Sequence, residues 1–155
     1  MQSNPNRRYL TEWLNDRLNT QIISVIVDVP AGEWNGGWSD DPKQLGSYYQ
    51  PYTVLTPVTA ATPEGTIADP GEIWSMPYSL ASYGVTARSL EDQADIARRI
   101  VSETVRSAVD LGGVSWGIMN VRTDSIGGIE VNRSVEPRVF SQRDMVLVQI
   151  NKRRV

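Results

Sequence analysis

Asp40, Asp41, Asp69 and Glu72 sit in two stretches rich in glycine and proline. Two such carboxylates, one protonated and one ionised, could carry out acid hydrolysis, and a cluster of them could hold a hard cation. Acidic residues among Gly and Pro far more often form turns and carry surface charge. Trp34 and Trp38 flank Asn35-Gly36-Gly37 in the first stretch. Two indoles there could stack on a sugar, clamp a partner protein, or fold the loop against the domain. Ile73-Trp74-Ser75-Met76-Pro77 has the same duality, whereas Trp116, beside Ile118 in a strand-like run, reads as core.

The chain contains no histidine and no cysteine. Histidine triads, histidine-rich metal sites, thiolate nucleophiles and disulfides are thereby excluded, and the commonest general base at neutral pH is missing. Neither Lys43 nor Lys152 follows a phosphate-binding glycine loop, and no Gly-x-Gly-x-x-Gly follows a strand. The expectation is a protein without turnover, cofactor or metal. A net charge of −3 and a pI near 5.0 disfavour a generic nucleic-acid binder, whose affinity comes from Lys and Arg against phosphates. The basic tail Asn151-Lys152-Arg153-Arg154 is too short to reverse this. No apolar run approaches the roughly 18 residues of a membrane span, and no secretory apolar segment opens the chain. A soluble, unexported protein is expected, which makes the acceptor pattern Asn132-Arg133-Ser134 a chance match.

A chain of 155 residues, 40% hydrophobic, suffices for one domain with a real core. Residues 1–5 are expected to fray. Tyr9, Leu10, Trp13, Leu14 and Leu18 predict a short helix over Arg7 to Asn19. The β-branched run Ile22 to Val29 predicts a buried strand, and Tyr52, Val54 and Leu55 another around 51–59. Residues 31–50 and 60–73 read as long loops, which in a small domain are more often functional than idle. Tyr83, Val85 and Ala87 alternate as in a half-buried strand and lead into a long helix. Ser89 and Asp92 predict that helix's start, and Gly112-Gly113 its end near Asp110. Leu90, Ala94, Ala97, Val101, Val105 and Ala108 form its buried stripe, widened by Ile96, Ile100 and Thr104. Arg98 and Arg99 fall on the solvated side, with Asp95/Arg99 and Glu103/Arg106 as candidate pairs. Val114 to Thr123 has strand composition, and Ile126-Gly127-Gly128-Ile129 predicts a hairpin returning over 129–132. Val135 to Gln142 reads as a connection into a final, deeply placed strand, Met145 to Ile150. The fold class expected is α+β, a mostly antiparallel sheet of about four to five strands covered on one face by a long helix and a short N-terminal helix.

This order of elements, with the strand-to-helix unit Tyr78 to Ala108 and its Ser-Leu-Glu-Asp start at its centre, resembles the tail terminator proteins of long-tailed bacteriophages. The resemblance implies a virion protein assembled in the host cytoplasm. Its subunits form a ring, usually a hexamer, that caps the tail tube, ends tube polymerisation and docks the head connector, while DNA passes through the lumen. Other neck and tail-completion proteins share that fold. On this view Trp34, Trp38, Asp40, Asp41, Asp69 and Glu72 are loop positions meeting tube, connector or neighbouring subunits. The competing readings are a carbohydrate-binding module using Trp34 and Trp38, and a carboxylate hydrolase using Asp40 or Asp69.

Overall fold

The computed structural model describes residues 5–26, 51–58, 62–63, 73–134 and 138–153. Asn6 opens helix α1 (Arg7–Leu18) by accepting the Arg8 N–H through its side chain, and Leu10, Leu14 and Leu18 form the buried side. Strands β1 (Ser24–Ile26), β2 (Tyr52–Pro57), β3 (Thr62–Pro63) and β4 (Ile73–Gly84) follow. Helix α2 (Ala87–Ser102) crosses back to β5 (Ala108–Asp110), β6 (Ser115–Asn132) and β7 (Val139–Lys152). Residues 27–29, the rest of the run expected as a buried strand, lie outside the described residues.

The sheet is ordered β1-β2-β4-β7-β6-β5, with β3 attached to β4. β1 runs parallel to β2, and the other described pairings are antiparallel. The protein is therefore α+β, but its sheet is mixed and its path has six strands, which corrects the expected four to five mostly antiparallel ones. β1 and β2 stand far enough apart in sequence for the crossover that parallel neighbours need. The extra strand β5 occupies residues expected to end the long helix.

Both helices pack on one face. Trp74, Met76, Tyr78 and Leu80 of β4 and Val146, Val148 and Ile150 of β7 meet Leu10, Leu14 and Leu18 of α1 and Ala97, Ile100 and Val101 of α2 in one core. Trp74 and Trp116 belong to this core as well. β7 lies between β4 and β6 along most of its length. It is longer than expected, because residues 139–142 pair with the end of β4. Pro77 is tolerated inside β4 because it sits where β2 stops, at Pro57↔Tyr78, and before β3 begins, at Thr62↔Ser75. Its carbonyl accepts from the Val58 N–H, and its missing N–H falls in the gap between the two partners.

Helix α2 starts two residues before Ser89. Thr86 is the cap, accepting the Ser89 N–H at 3.1 Å. The helix ends at Ser102, so Val105 and Ala108 leave the buried stripe and are exposed, while Thr104 is buried in the following turn. The charged side also differs from expectation. Arg99 faces Glu103 at 3.9 Å, and Arg98 turns partly inward between Asp95 and the buried Asp144.

The two glycine pairs exchange their expected roles. Gly112 and Gly113, with φ of +80° and +91°, make the tight turn between β5 and β6, closed by the Leu111 N–H donating to the Val114 carbonyl. Gly127 and Gly128 make no hairpin; they lie in a bulge within one continuous β6. Gly112→Ala should lower stability by ~1–2 kcal/mol, because a Cβ is disfavoured at positive φ and would also press on the Tyr9 ring at 3.3 Å. Gly128→Ala meets nothing within 4 Å and should stay within about 0.5 kcal/mol of the parent in urea unfolding.

Tyr78 is buried, and its hydroxyl shares a 3.0 Å hydrogen bond with Thr11. Burial pushes its phenol up to about 12, against the opposing pull of Thr11 and Arg7. An unfolded tyrosine ionises near 10, so Tyr78's contribution is complete below about pH 10 and is lost as pH rises from there to 12. Tyr78→Phe should flatten that part of the stability curve, measured by urea unfolding between pH 8 and 12, leaving the share of Tyr52, which lies in the same window.

Candidate functional site

β6 is 18 residues long, but only its first residues have strand neighbours on both sides. β5 supplies three partners, Ala108↔Gly117, Val109↔Trp116 and Asp110↔Ser115. Just before it the chain turns through Arg106, at φ +76°, whose N–H donates to the Ile118 carbonyl, while the Ile118 N–H donates to Ser107. Beyond Ile118 no described residue pairs on this side, so among the described residues the edge of β6 is open from Met119 to Asn132. Met119, Ile126, Ile129 and Val131 are exposed along it. An edge of this length carrying apolar side chains is a template for pairing with another chain.

Two irregularities divide the edge. Met119 is the extra residue between Ile118↔Ile150 and Asn120↔Gln149, and the glycine bulge lies between Ile126↔Arg143 and Glu130↔Ser141. Between them, Asn120 to Ile126 pair with β7 without interruption. Val121, Thr123 and Ser125 oppose Val148, Val146 and Asp144 on the helix side of the sheet, so Asn120, Arg122, Asp124 and Ile126 lie on the other face. Side-chain bonds on both faces pin this segment. Asp144, fully buried, accepts from Arg98 at 2.9 and 3.1 Å and from the Ser125 hydroxyl at 2.9 Å, and the Asn120 amide donates to Gln149.

The sheet face opposite the helices carries a stacked tyrosine pair, Tyr52 and Tyr83, with ring centroids 4.8 Å apart. Burial, then the neighbouring Tyr83, pushes the Tyr52 phenol up to about 12, so it stays neutral at physiological pH. A cleft of about 160 Å³ opens between Tyr83, Ile126, Glu130 and Arg143, and one of about 220 Å³ between Pro77, Arg122, Asp124 and Leu147. A wider groove of about 570 Å³ lies between the end of α1 and α2, lined by Ile22, Pro51, Gln93 and Ile96. These clefts can accept side chains of a partner. Among the described residues no three acidic groups come together to hold a metal ion. No helix among them is long and apolar enough to cross a membrane.

Trp34, Trp38, Asp40, Asp41, Asp69 and Glu72 all lie outside the described residues, so the structure neither gathers nor separates them. The open edge was missed from sequence because it depends on how short β5 is. Its one local signal is the alternation of Asn120, Arg122, Asp124 and Ile126 with Val121, Thr123 and Ser125. Charge is unevenly divided along the chain. The described residues hold 13 basic and 10 acidic side chains, a net of +3, against −3 for the whole chain. The acidic excess therefore belongs to the remaining residues, chiefly 27–50 and 64–72.

No family model matches the chain, and no curated protein matches it. A solved structure that carries no functional name aligns with 96% of this chain and 91% of its own length, at 9% identity and a TM-score of 0.46. A likeness that slight carries no argument about fold or function.

Proposed function

We propose that this chain is a structural protein of the head–tail junction of a long-tailed bacteriophage, a tail terminator whose subunits close into a ring on the finished tail tube. On the resemblance drawn from sequence the ring is a hexamer. It ends tube polymerisation, gives the head connector a docking face, and lets DNA pass through its lumen. It works by contact and symmetry, without turnover. The single observation supporting this reading is the open edge of β6, a surface suited to contact with another subunit and ill suited to a solitary one.

The division of charge refines the electrostatic side of the reading. A uniformly acidic subunit would let DNA slide by repelling phosphates, but the described body is net basic. The acidic stretches with Asp40, Asp41, Asp69 and Glu72 supply the negative charge in this reading, at the lumen or at the contacts with tube and connector.

The test uses purified chain and uncapped phage tail tubes. Tubes should stop elongating when the chain is added, and negative-stain images should show a ring at one end. Tubes that continue to grow, with no density added at any chain concentration, would overturn the reading.

A further inference from the structure

We propose that β6 pairs with β6 of a second copy of this chain, antiparallel and about a twofold axis through Thr123. The two bulges bracket an uninterrupted stretch, Asn120 to Ile126, whose midpoint is Thr123. Bulges bend a strand and break its ladder, so a partner strand can follow this edge regularly only between them. Centred on Thr123, the pairing sets Arg122 of each copy opposite Asp124 of the other, Thr123 opposite itself, and Val121 opposite Ser125. Opposite charges and a threonine pair facing each other across strands are favourable contacts.

The alternative registers are worse for a specific reason. A shift of one residue puts the two faces of the sheet out of step. Keeping the faces but moving the axis to Arg122 places arginine against arginine, and moving it to Asp124 places aspartate against aspartate. A parallel pair of this same edge inverts the sheet faces of one copy relative to the other, so Arg122 and Asp124 of the two copies lie on opposite faces and cannot pair. Like charges directly opposite are destabilising, which leaves the Thr123 axis as the complementary choice. Arg122 and Asp124 are exposed and make no ion pair with another described residue, so both are free to be used in this way. The occupant is thus identified by the edge itself. A contact of seven residues per strand is small beside the ~1,200 Å² of an ordinary stable complex, so the dimer should depend on concentration.

This inference goes beyond the ring reading. A twofold pair closes on itself and covers the β6 edge, so it is a state of the free subunit that competes with ring assembly.

The experiment is sedimentation velocity on the full chain over a concentration series, with circular dichroism confirming the fold of each variant. The parent should dimerise reversibly. Arg122→Asp alone and Asp124→Arg alone should each weaken the dimer by about tenfold or more, since each sets two like-charged pairs face to face. The double swap Arg122→Asp/Asp124→Arg should restore it, and mixing the two single variants should give a heterodimer. A parent that stays monomeric throughout would overturn the pairing, as would single variants that dimerise like the parent or a double swap without rescue. Capping of tail tubes is scored separately. A chain that caps tubes without ever dimerising overturns the pairing alone, whereas one that dimerises by these rules and ignores tubes upholds the pairing and removes the ring reading.

Discussion

Val101→Asp is expected to leave the chain unfolded at 25 °C, with near-UV dichroism lost and the urea transition absent. Val101 is 1% exposed on the core side of α2, where a carboxylate would find neither water nor a counter-charge. Burying an unpaired charge costs several kcal/mol, a large share of the 5–15 kcal/mol that holds a typical domain together. Val101→Ala, which removes two methyl groups and leaves a small cavity, should cost about 2 kcal/mol and still fold. The informative contrast is Val105→Asp. Val105 lies on the same heptad-like stripe in sequence but is 36% exposed beyond the end of α2. That substitution should stay within about 1 kcal/mol of the parent. A folded, assembling Val101→Asp protein would show that α2 does not face the core as described.

Arg98→Ala is the second large effect, expected at ~3–5 kcal/mol in urea unfolding. Asp144 is fully buried between Leu80 and Ser125, on neighbouring strands, and the Arg98 guanidinium holds both of its oxygens. Removing Arg98 leaves the Ser125 hydroxyl as the remaining described donor to a buried carboxylate. Asp95, which also contacts Arg98, is exposed and can return to water. Replacing both members, as Arg98→Met with Asp144→Leu, should recover most of the loss, since a buried pair often contributes little over well-packed apolar groups of similar size. A double variant no better than Arg98→Ala would mean that the site needs the charges themselves, for instance to hold Ser125 and hence the register of β6 on β7.

These two effects mark where sequence reasoning succeeds and where it stops. Val101 was legible because three- and four-residue spacing over Leu90, Ala94, Ala97 and Val101 is a local property of the chain, and a helix must bury that stripe. Arg98 was not. On the helix it sits among charged residues, and nothing local says that an aspartate 46 positions later will be buried beneath it. Asp144 in turn follows Ser141, Gln142 and Arg143 in the polar half of β7, and its identity as a buried partner exists only once β7 lies beside β6 under α2.

By itself the sequence determined what depends on neighbours within a turn or two. It specified α1, the core face of α2, β2, a deeply placed last strand, and the absence of any histidine or thiol chemistry. Tertiary structure decided what depends on pairing between distant segments. Both Gly-Gly pairs are equally able to turn the chain. Gly112-Gly113 makes the hairpin because Ser115 to Gly117 pair with β5, and Gly127-Gly128 becomes a bulge because β7 pairs with β6 on both sides of it. The parallel β1, the continuity of β4 across Pro77 and the exposed edge of β6 have the same origin. A strand's hydrogen bonds lie outside its own segment, so its length, its neighbours and its free side are settled only when the whole sheet is assembled.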